Sequence, residues 1–290
     1  MTTTGPGSQA NGEEPGVTVP GSGYRPLDTG RPHPARRYDA WLGGKDNFAA
    51  DRESADQIAQ AFPTIRTAAL ENRRFLHRAV SFLAAEARIR QFLDIGTGIP
   101  TSPNVHEIVQ AIAAESRVVY VDNDPLVVVH ARARMVSSPG GATAYVQADL
   151  REPEAILADP ALIGTLDLSQ PVGLLLVAVL HFLDDEDAPY RAVARLVEAL
   201  PSGSYLAMSH ATLDPLPADT VERLATLAIP GAGHGTFRPR TRDEVARFLD
   251  GLKLVDPGLV PIVDWRPEQE PKPLAAEAQT GMYGAVARLP

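Results

Sequence analysis

The stretch Phe92-Leu-Asp-Ile-Gly-Thr-Gly-Ile-Pro-Thr101 constrains this chain more than any other. An apolar run ends in an acid, and two glycines follow, one residue apart. Beyond them Val105, Ile108, Val109, Ile112 and Ala113 recur at helical spacing. Ser102 suits an N-cap and Pro103 a first helical residue. The segment reads as strand, tight turn and helix. Glycine at 96 and 98 lets backbone approach a ligand that a Cβ would exclude.

The same unit repeats. Arg117–Asp122 is a second strand ending in an acid, followed by Asn123-Asp124-Pro125 and a helix from Leu126 to Val136. Asp124 reads as a turn or helix-start residue. A third strand, Ala142–Gln147, leads to Asp149 and Leu150. Val172–Leu180 is apolar throughout, as a strand covered on both faces should be. It ends at His181, before the acid run Asp184–Asp187 and a helix from Ala188 to Leu200. Ser204–Met208 is a fifth strand, ending at Ser209-His210-Ala211. Alternating strands and helices imply right-handed crossovers and a parallel sheet. Residues 212–235 read as a helical insertion, and Thr241-Arg-Asp-Glu244 as a capping box. Leu259–Trp265 and Met282–Leu289 have no helix between them, which implies an antiparallel pair.

The N-terminal third differs. Residues 1–33 lack periodicity and are rich in Gly, Pro, Ser and Thr, so they read as a disordered tail. Residues 34–88 read as a helical cap or lid, and 89–290 as the main domain. Within the cap, Tyr38 and Trp41 precede a Gly43-Gly44 break and a polar set including Lys45, Asp46, Asn47, Asp51 and Arg52. The break reads either as a turn between two helices or as the hinge of a lid. Thr64–Ala87 is a helix with Phe75, Leu76, Ala79, Val80 and Leu83 on its apolar stripe. Arg73 becomes a binding candidate if it points back to the glycine turn.

Composition narrows the chemistry. The net charge of −9 argues against non-specific binding to nucleic acid or anionic membrane. The absence of cysteine excludes disulfides, thiol nucleophiles and Cys-based zinc sites, and fits a cytoplasmic protein. No apolar run is long enough to span a bilayer. No zincin-type pair of histidines at i,i+4 occurs, so no metal site is expected.

In a parallel sheet, ligands bind beyond the carboxyl ends of the strands. Asp94, Asp122 and Asp149 would meet there. A dinucleotide site wants a third glycine where Thr101 stands, and Asp94 would repel a pyrophosphate. The same acid attracts the amino group of a methionine moiety, so the pattern favours S-adenosylmethionine over NAD. Asp122, with Asn123 beside it, suits ribose hydroxyls, and Asp149 and Leu150 suit adenine. Asp94 and the Gly96-Thr97-Gly98 backbone suit the ammonium, and Arg73 or Lys45 the carboxylate. His181 and His210, each at a strand end, read either as general bases or as hydrogen-bonded structural residues. Tyr38, Trp41 and Asn47 would shape an acceptor pocket if the cap folds over the crevice.

Together these residues resemble the class I S-adenosylmethionine-dependent methyltransferases. Ala35–Phe48, Phe92–Thr101, Tyr120-Val-Asp-Asn-Asp-Pro125, Gln147-Ala-Asp-Leu-Arg151 and Leu180-His-Phe182 are more narrowly similar to one bacterial family, the S-adenosyl methyltransferases of high-GC Gram-positive bacteria. The resemblance runs from Pro34 to Leu289. It implies an α/β Rossmann-like fold with a mostly parallel sheet of seven strands, the last one antiparallel. Helices would cover both faces beneath an N-terminal helical cap. It implies S-adenosylmethionine as cofactor and S-adenosylhomocysteine as product, and it leaves the acceptor open. No N/D-P-P-Y sequence follows the fourth strand, so amino-methylation of DNA or protein amides is not supported. A small-molecule acceptor is expected. A module that binds the cofactor without catalysis and an NAD-linked oxidoreductase are the alternatives.

Overall fold

The computed structural model describes residues 28–134, 137–227, 233–267 and 280–290, together with Met1. Expectations for most of the N-terminal tail, for 228–232 and for the Pro-rich connection 268–279 lie outside the described residues. The strands are β1 (Gln91–Ile95), β2 (Arg117–Asp122), β3 (Ala142–Gln147), β4 (Gly173–Val177), β5 (Tyr205–Ala211), β6 (Lys253–Leu254), β7 (Val260–Pro261) and β8 (Met282–Arg288). They form one sheet in the order 3-2-1-4-5-8-6, with β7 also on β8. The first five are mutually parallel, and β8 is antiparallel to β5.

Two short strands stand in place of the one expected at Leu259–Trp265. Lys253–Leu254 and Val260–Pro261 each pair antiparallel with β8. Between them Pro257 has no amide hydrogen to give a ladder, and Gly258 sits at φ +90. Leu259–Trp265, expected as a strand, therefore keeps only two paired residues before a 3₁₀ turn at Ile262–Asp264. That turn buries Ile262 and Val263. It is held by Arg78, whose Nε and Nη2 donate to Trp265 O (2.7 Å) and Ile262 O (2.6 Å).

The described helices are α1 (Pro34–Trp41), α2 (Ala49–Ala61), α3 (Ile65–Ala85), α4 (Val105–Ile112), α5 (Pro125–Arg134), α6 (Pro153–Leu157), α7 (Pro160–Thr165), α8 (Pro189–Glu198), α9 (Ala218–Leu227) and α10 (Arg242–Ala246). Alternating strand residues feed two cores. Leu93, Ile95, Val119 and Leu174 enter one, while Phe92, Val118, Tyr120 and Leu175 join α3 in the other. Val245, Phe248 and Leu249 are buried as the capping-box reading requires.

Three local expectations change. Helix α4 starts at Val105 rather than after Ser102, because the Asn104 side chain first closes the loop onto Thr101 N (3.1 Å). Strand β4 stops at Val177, where Ala178 turns to φ +55 ahead of a 3₁₀ turn at Leu180–Phe182. Strand β5 runs on to Ala211, so His210 lies within it, opposite Tyr283.

Gly43-Gly44 is a helix end. Gly43 at φ +81 is the C′ residue of α1, Gly43 N donates to Ala40 O (3.1 Å), and Gly44 N donates to Asp39 O (2.8 Å). This is a Schellman termination, and it turns the chain sharply into α2.

Candidate functional site

A cavity of about 310 Å³ opens at the carboxyl ends of β1, β2, β3 and β4. The glycine turn forms its floor. Gly96 and Gly98 sit at φ +74 and +70, a region open to glycine at little cost. Gly96 is doubly required, because an added Cβ would overlap the Val179 side chain. Its N–H and that of Thr97 donate to Val121 O, at 2.8 and 3.3 Å, so β2 holds the turn in place.

All three strand-end acids line this cavity. Asp94 is buried, and burial pushes its carboxyl up to about 7, against the Thr97 hydroxyl and the Arg73 cation, which pull it down. Asp122 is raised by burial and held back by two backbone donors, Asp124 N and Gly98 N, each 2.9 Å away. Each of those oxygens has a lone pair left. Asp149 is half-buried and accepts from Asn123 Nδ2 (3.0 Å), Arg151 N (3.0 Å) and Arg151 Nη1 (3.1 Å). Leu150 supplies an apolar wall beside it.

Helix α1 closes the other side. His33, Ala35, Tyr38, Asp39 and Leu42 all line the cavity. The helix is fixed by a buried ion pair in which Arg36 Nε and Nη2 grip Asp124 at 2.8 and 3.0 Å. Asp124 also accepts from Leu126 N (3.0 Å), so the helix-start residue doubles as the anchor for α1. A hydrogen-bonded chain runs on from Tyr38. Its hydroxyl donates to Ala69 O (2.8 Å) and accepts from Asn72 Nδ2 (3.0 Å), while Asn72 Oδ1 accepts from Ser209 Oγ (2.6 Å). Arg73 lines the cavity, with Nη2 clamped on Thr101 O (2.5 Å) and Pro103 O (2.9 Å).

The expected residues Asp94, Gly96, Thr97, Gly98, Asp122, Asn123, Asp149, Leu150, Arg73 and Tyr38 are thus brought together. Five others are not. Lys45 is exposed beyond the turn that ends α1. Trp41 holds α1 to α2 through Nε1 and Ala55 O (3.1 Å). Asn47 donates to Asp39 Oδ2 (2.7 Å) and Gly44 O (3.1 Å) rather than to the cavity. His210 is fully buried, donating from Nδ1 to Ala211 O (2.8 Å) and accepting at Nε2 from Arg240 Nη1 (3.1 Å). Burial and that cation lower it to about 4. His181 is buried behind Phe182, with Nδ1 accepting from Ala211 N (3.3 Å). Burial first, then His210, Arg240 and Arg37, hold its imidazole neutral. In that tautomer Nε2 carries the proton, so neither ring offers a free lone pair to the cavity.

Sequence reading passed over His33, Asp39 and Asn72 as wall residues. Asp39 lies between the candidates Tyr38 and Trp41, and Asn72 beside the candidate Arg73, but which helix face lines a cavity is chosen by packing. The cavity suits a nucleoside with a charged tail: carboxylates with spare lone pairs meet hydroxyls and an ammonium, and the glycine turn leaves room for close approach.

The family model described as S-adenosyl methyltransferase matches residues 21–290. A DUF574 family protein from Streptomyces avermitilis MA-4680 is 48% identical, with 91% of this chain and 99% of that one covered and a TM-score of 0.86. A putative methyltransferase from Thermobifida fusca YX is 38% identical, with 92% and 99% covered and a TM-score of 0.82. No curated protein compared with the chain matches it. The sheet order, the acids around the glycine turn and these likenesses agree: the chain belongs to the S-adenosyl methyltransferase family and is a methyltransferase that uses S-adenosylmethionine.

Proposed function

We propose that this methyltransferase acts on a small-molecule acceptor in the cytoplasm, and that it works by alignment and exclusion of water rather than through His181 or His210 as a base. One observation carries the reading. The cavity is walled by α1, α3 and four strand ends, yet His181 and His210 are not among its lining residues and their ring lone pairs are engaged elsewhere.

The bound cofactor supplies an already activated methyl group on a sulfonium. The residues that would hold it are Asp122 for the ribose hydroxyls, Asp149 and Leu150 for the adenine, Asp94 for the ammonium and Arg73 for the carboxylate. Asp94 suits a cation, because a positive charge beside a buried carboxyl favours its ionised form. The glycine turn, fixed to Val121 O, sets where the ligand backbone contacts lie. Tyr38 and Asn72 are locked by their hydrogen-bonded chain and present a rigid, uncharged wall. Burial raises the Tyr38 hydroxyl, so it stays protonated and cannot serve as a base either. Fixed walls of this kind hold reactants at attack distance and keep water out. An acceptor that reaches the site without a proton to lose fits such a wall best.

The test combines binding and turnover. Calorimetry is expected to show S-adenosylmethionine and S-adenosylhomocysteine binding more tightly than NAD. Incubation with methyl-labelled cofactor and a cell extract is expected to place label in the dialysable fraction. Label confined to protein or nucleic acid would overturn the small-molecule reading, and tighter binding of NAD would overturn the cofactor assignment.

A further inference from the structure

The polar run Gly43-Gly44-Lys45-Asp46-Asn47 with Arg52 has no place in the site as described so far, and its contacts point to a single carboxylate. Asp39 is buried in the cavity wall. Its Oδ2 accepts from Asp46 N (3.0 Å) and Asn47 Nδ2 (2.7 Å). Arg52 Nη1 donates to Asn47 Oδ1 (3.0 Å) and Asn47 O (2.9 Å), which fixes the amide so that its nitrogen faces Asp39. Gly44 completes the arrangement, since an added Cβ there would overlap Asp39 Oδ1. Four residues therefore set the position of one carboxyl group.

Yet this carboxylate has no counter-ion. Among the described residues no Arg, Lys or His forms an ion pair with Asp39, and Oδ1 accepts no hydrogen bond. Of the other cavity acids, Asp149 pairs with Arg151 and Asp122 takes one backbone amide on each oxygen, while Asp94, like Asp39, accepts at Oδ2 alone and forms no ion pair among the described residues. A buried carboxylate left without a cation is costly unless something supplies one. We infer that Asp39 is the anchor for a ligand ammonium group, which completes its charge when the cavity is filled. Such a group can come from the amino-acid tail of the cofactor, its ammonium then shared with Asp94, or from an amine-bearing acceptor. The inference rests on the cavity being the methyl-transfer site.

The substitution Asp39→Asn tests this without changing shape. Two donors face Oδ2, so the amide oxygen stays there and the amide nitrogen takes the place of Oδ1. An acceptor becomes a donor aimed at the ammonium. In the cofactor arm, calorimetry compares S-adenosylhomocysteine with 5′-methylthioadenosine, which lacks the amino-acid tail. In the acceptor arm, the protein saturated with S-adenosylhomocysteine is titrated with benzylammonium and with benzyl alcohol. If the cofactor supplies the cation, the variant loses about 10- to 100-fold in affinity for S-adenosylhomocysteine with little change for methylthioadenosine. If the acceptor supplies it, both nucleosides bind as before and benzylammonium binding drops by a similar factor, with the alcohol unaffected. Asn47→Ala keeps the charge and removes one of the groups that aim it, so a weaker loss with the same selectivity is expected. An equal effect on charged and uncharged ligands in both arms would overturn the inference. If the wild type binds neither nucleoside, the cofactor assignment fails, and the amine titration of the ligand-free protein still decides the role of Asp39.

Discussion

Asp94 is where burial and ligand chemistry meet in one group. Its folded-state value of about 7 lies above the ordinary 3.8, so the ligand-free folded protein holds this proton more tightly than the unfolded chain does. Its contribution to stability is present below the unfolded value and is lost as pH rises through about 7. Asp94→Asn removes that loss. The variant without ligand should be more stable than wild type above neutral pH, by up to about 4 kcal/mol, and should match it at pH values below the unfolded value. Thermal melts across that range give the difference directly, and equal slopes would refute the burial argument. Binding should show the same group. At pH 7 a cationic tail beside Asp94 should expel about half a proton, read as buffer-dependent heat of S-adenosylhomocysteine binding and absent in Asp94→Asn. Asp122→Ala should weaken cofactor binding by roughly 2–4 kcal/mol through two lost charge-assisted hydrogen bonds. It should also loosen the turn that Gly98 N fixes to it.

Helix α1 and the start of α5 act as one unit, because Arg36 and Asp124 meet in a dry, two-pronged pair. Removing one partner strands the other. Arg36→Ala and Asp124→Ala should each cost roughly 3–5 kcal/mol of stability, whereas the double variant should cost less than their sum. Additive losses in chemical denaturation would show the pair to be uncoupled. The glycine turn is the second such element. Gly96→Ala must hold alanine at φ +74 against the Val179 side chain. It should cost roughly 1–3 kcal/mol in backbone strain alone and abolish nucleoside binding. Gly98 has open space around its α-carbon, so Gly98→Ala should be the milder change.

At the scale of the whole molecule, the cavity needs its N-terminal wall. That wall begins at His33, and α1 is joined to α2, α3, α5 and residue 234 by Trp41, Tyr38, Arg36 and Arg37. Deleting residues 2–27 should leave affinity for S-adenosylhomocysteine unchanged, and deleting 1–50 should lower it while the sheet still folds. If the cap works as a lid, hydrogen exchange across Trp41–Arg52 should slow on saturation with S-adenosylhomocysteine. Identical exchange with and without ligand would make it a fixed wall.

The parallel sheet, its order of elements and the three acids at its edge were legible in the sequence because they rest on local rules. Apolar runs of strand length, glycine turns and helical stripes are each written within about 20 residues. The antiparallel end strand was legible for the same reason, as two strands with no helix between them. What the sequence left open was decided by contacts between distant residues. The sequence puts His181 and His210 at strand ends whether they are bases or structural residues, and only packing against Arg240, Phe248 and Ala211 shows their lone pairs engaged. Gly43-Gly44 suits a hinge or a helix end equally well, until the hydrogen bonds back to Ala40 and Asp39 select the latter. Lys45 and Asp39 are six residues apart and both charged, yet the turn between them leaves one in solvent and one in the cavity wall. Side-chain direction at the end of a helix depends on what the rest of the chain buries, and only the tertiary structure carries that information.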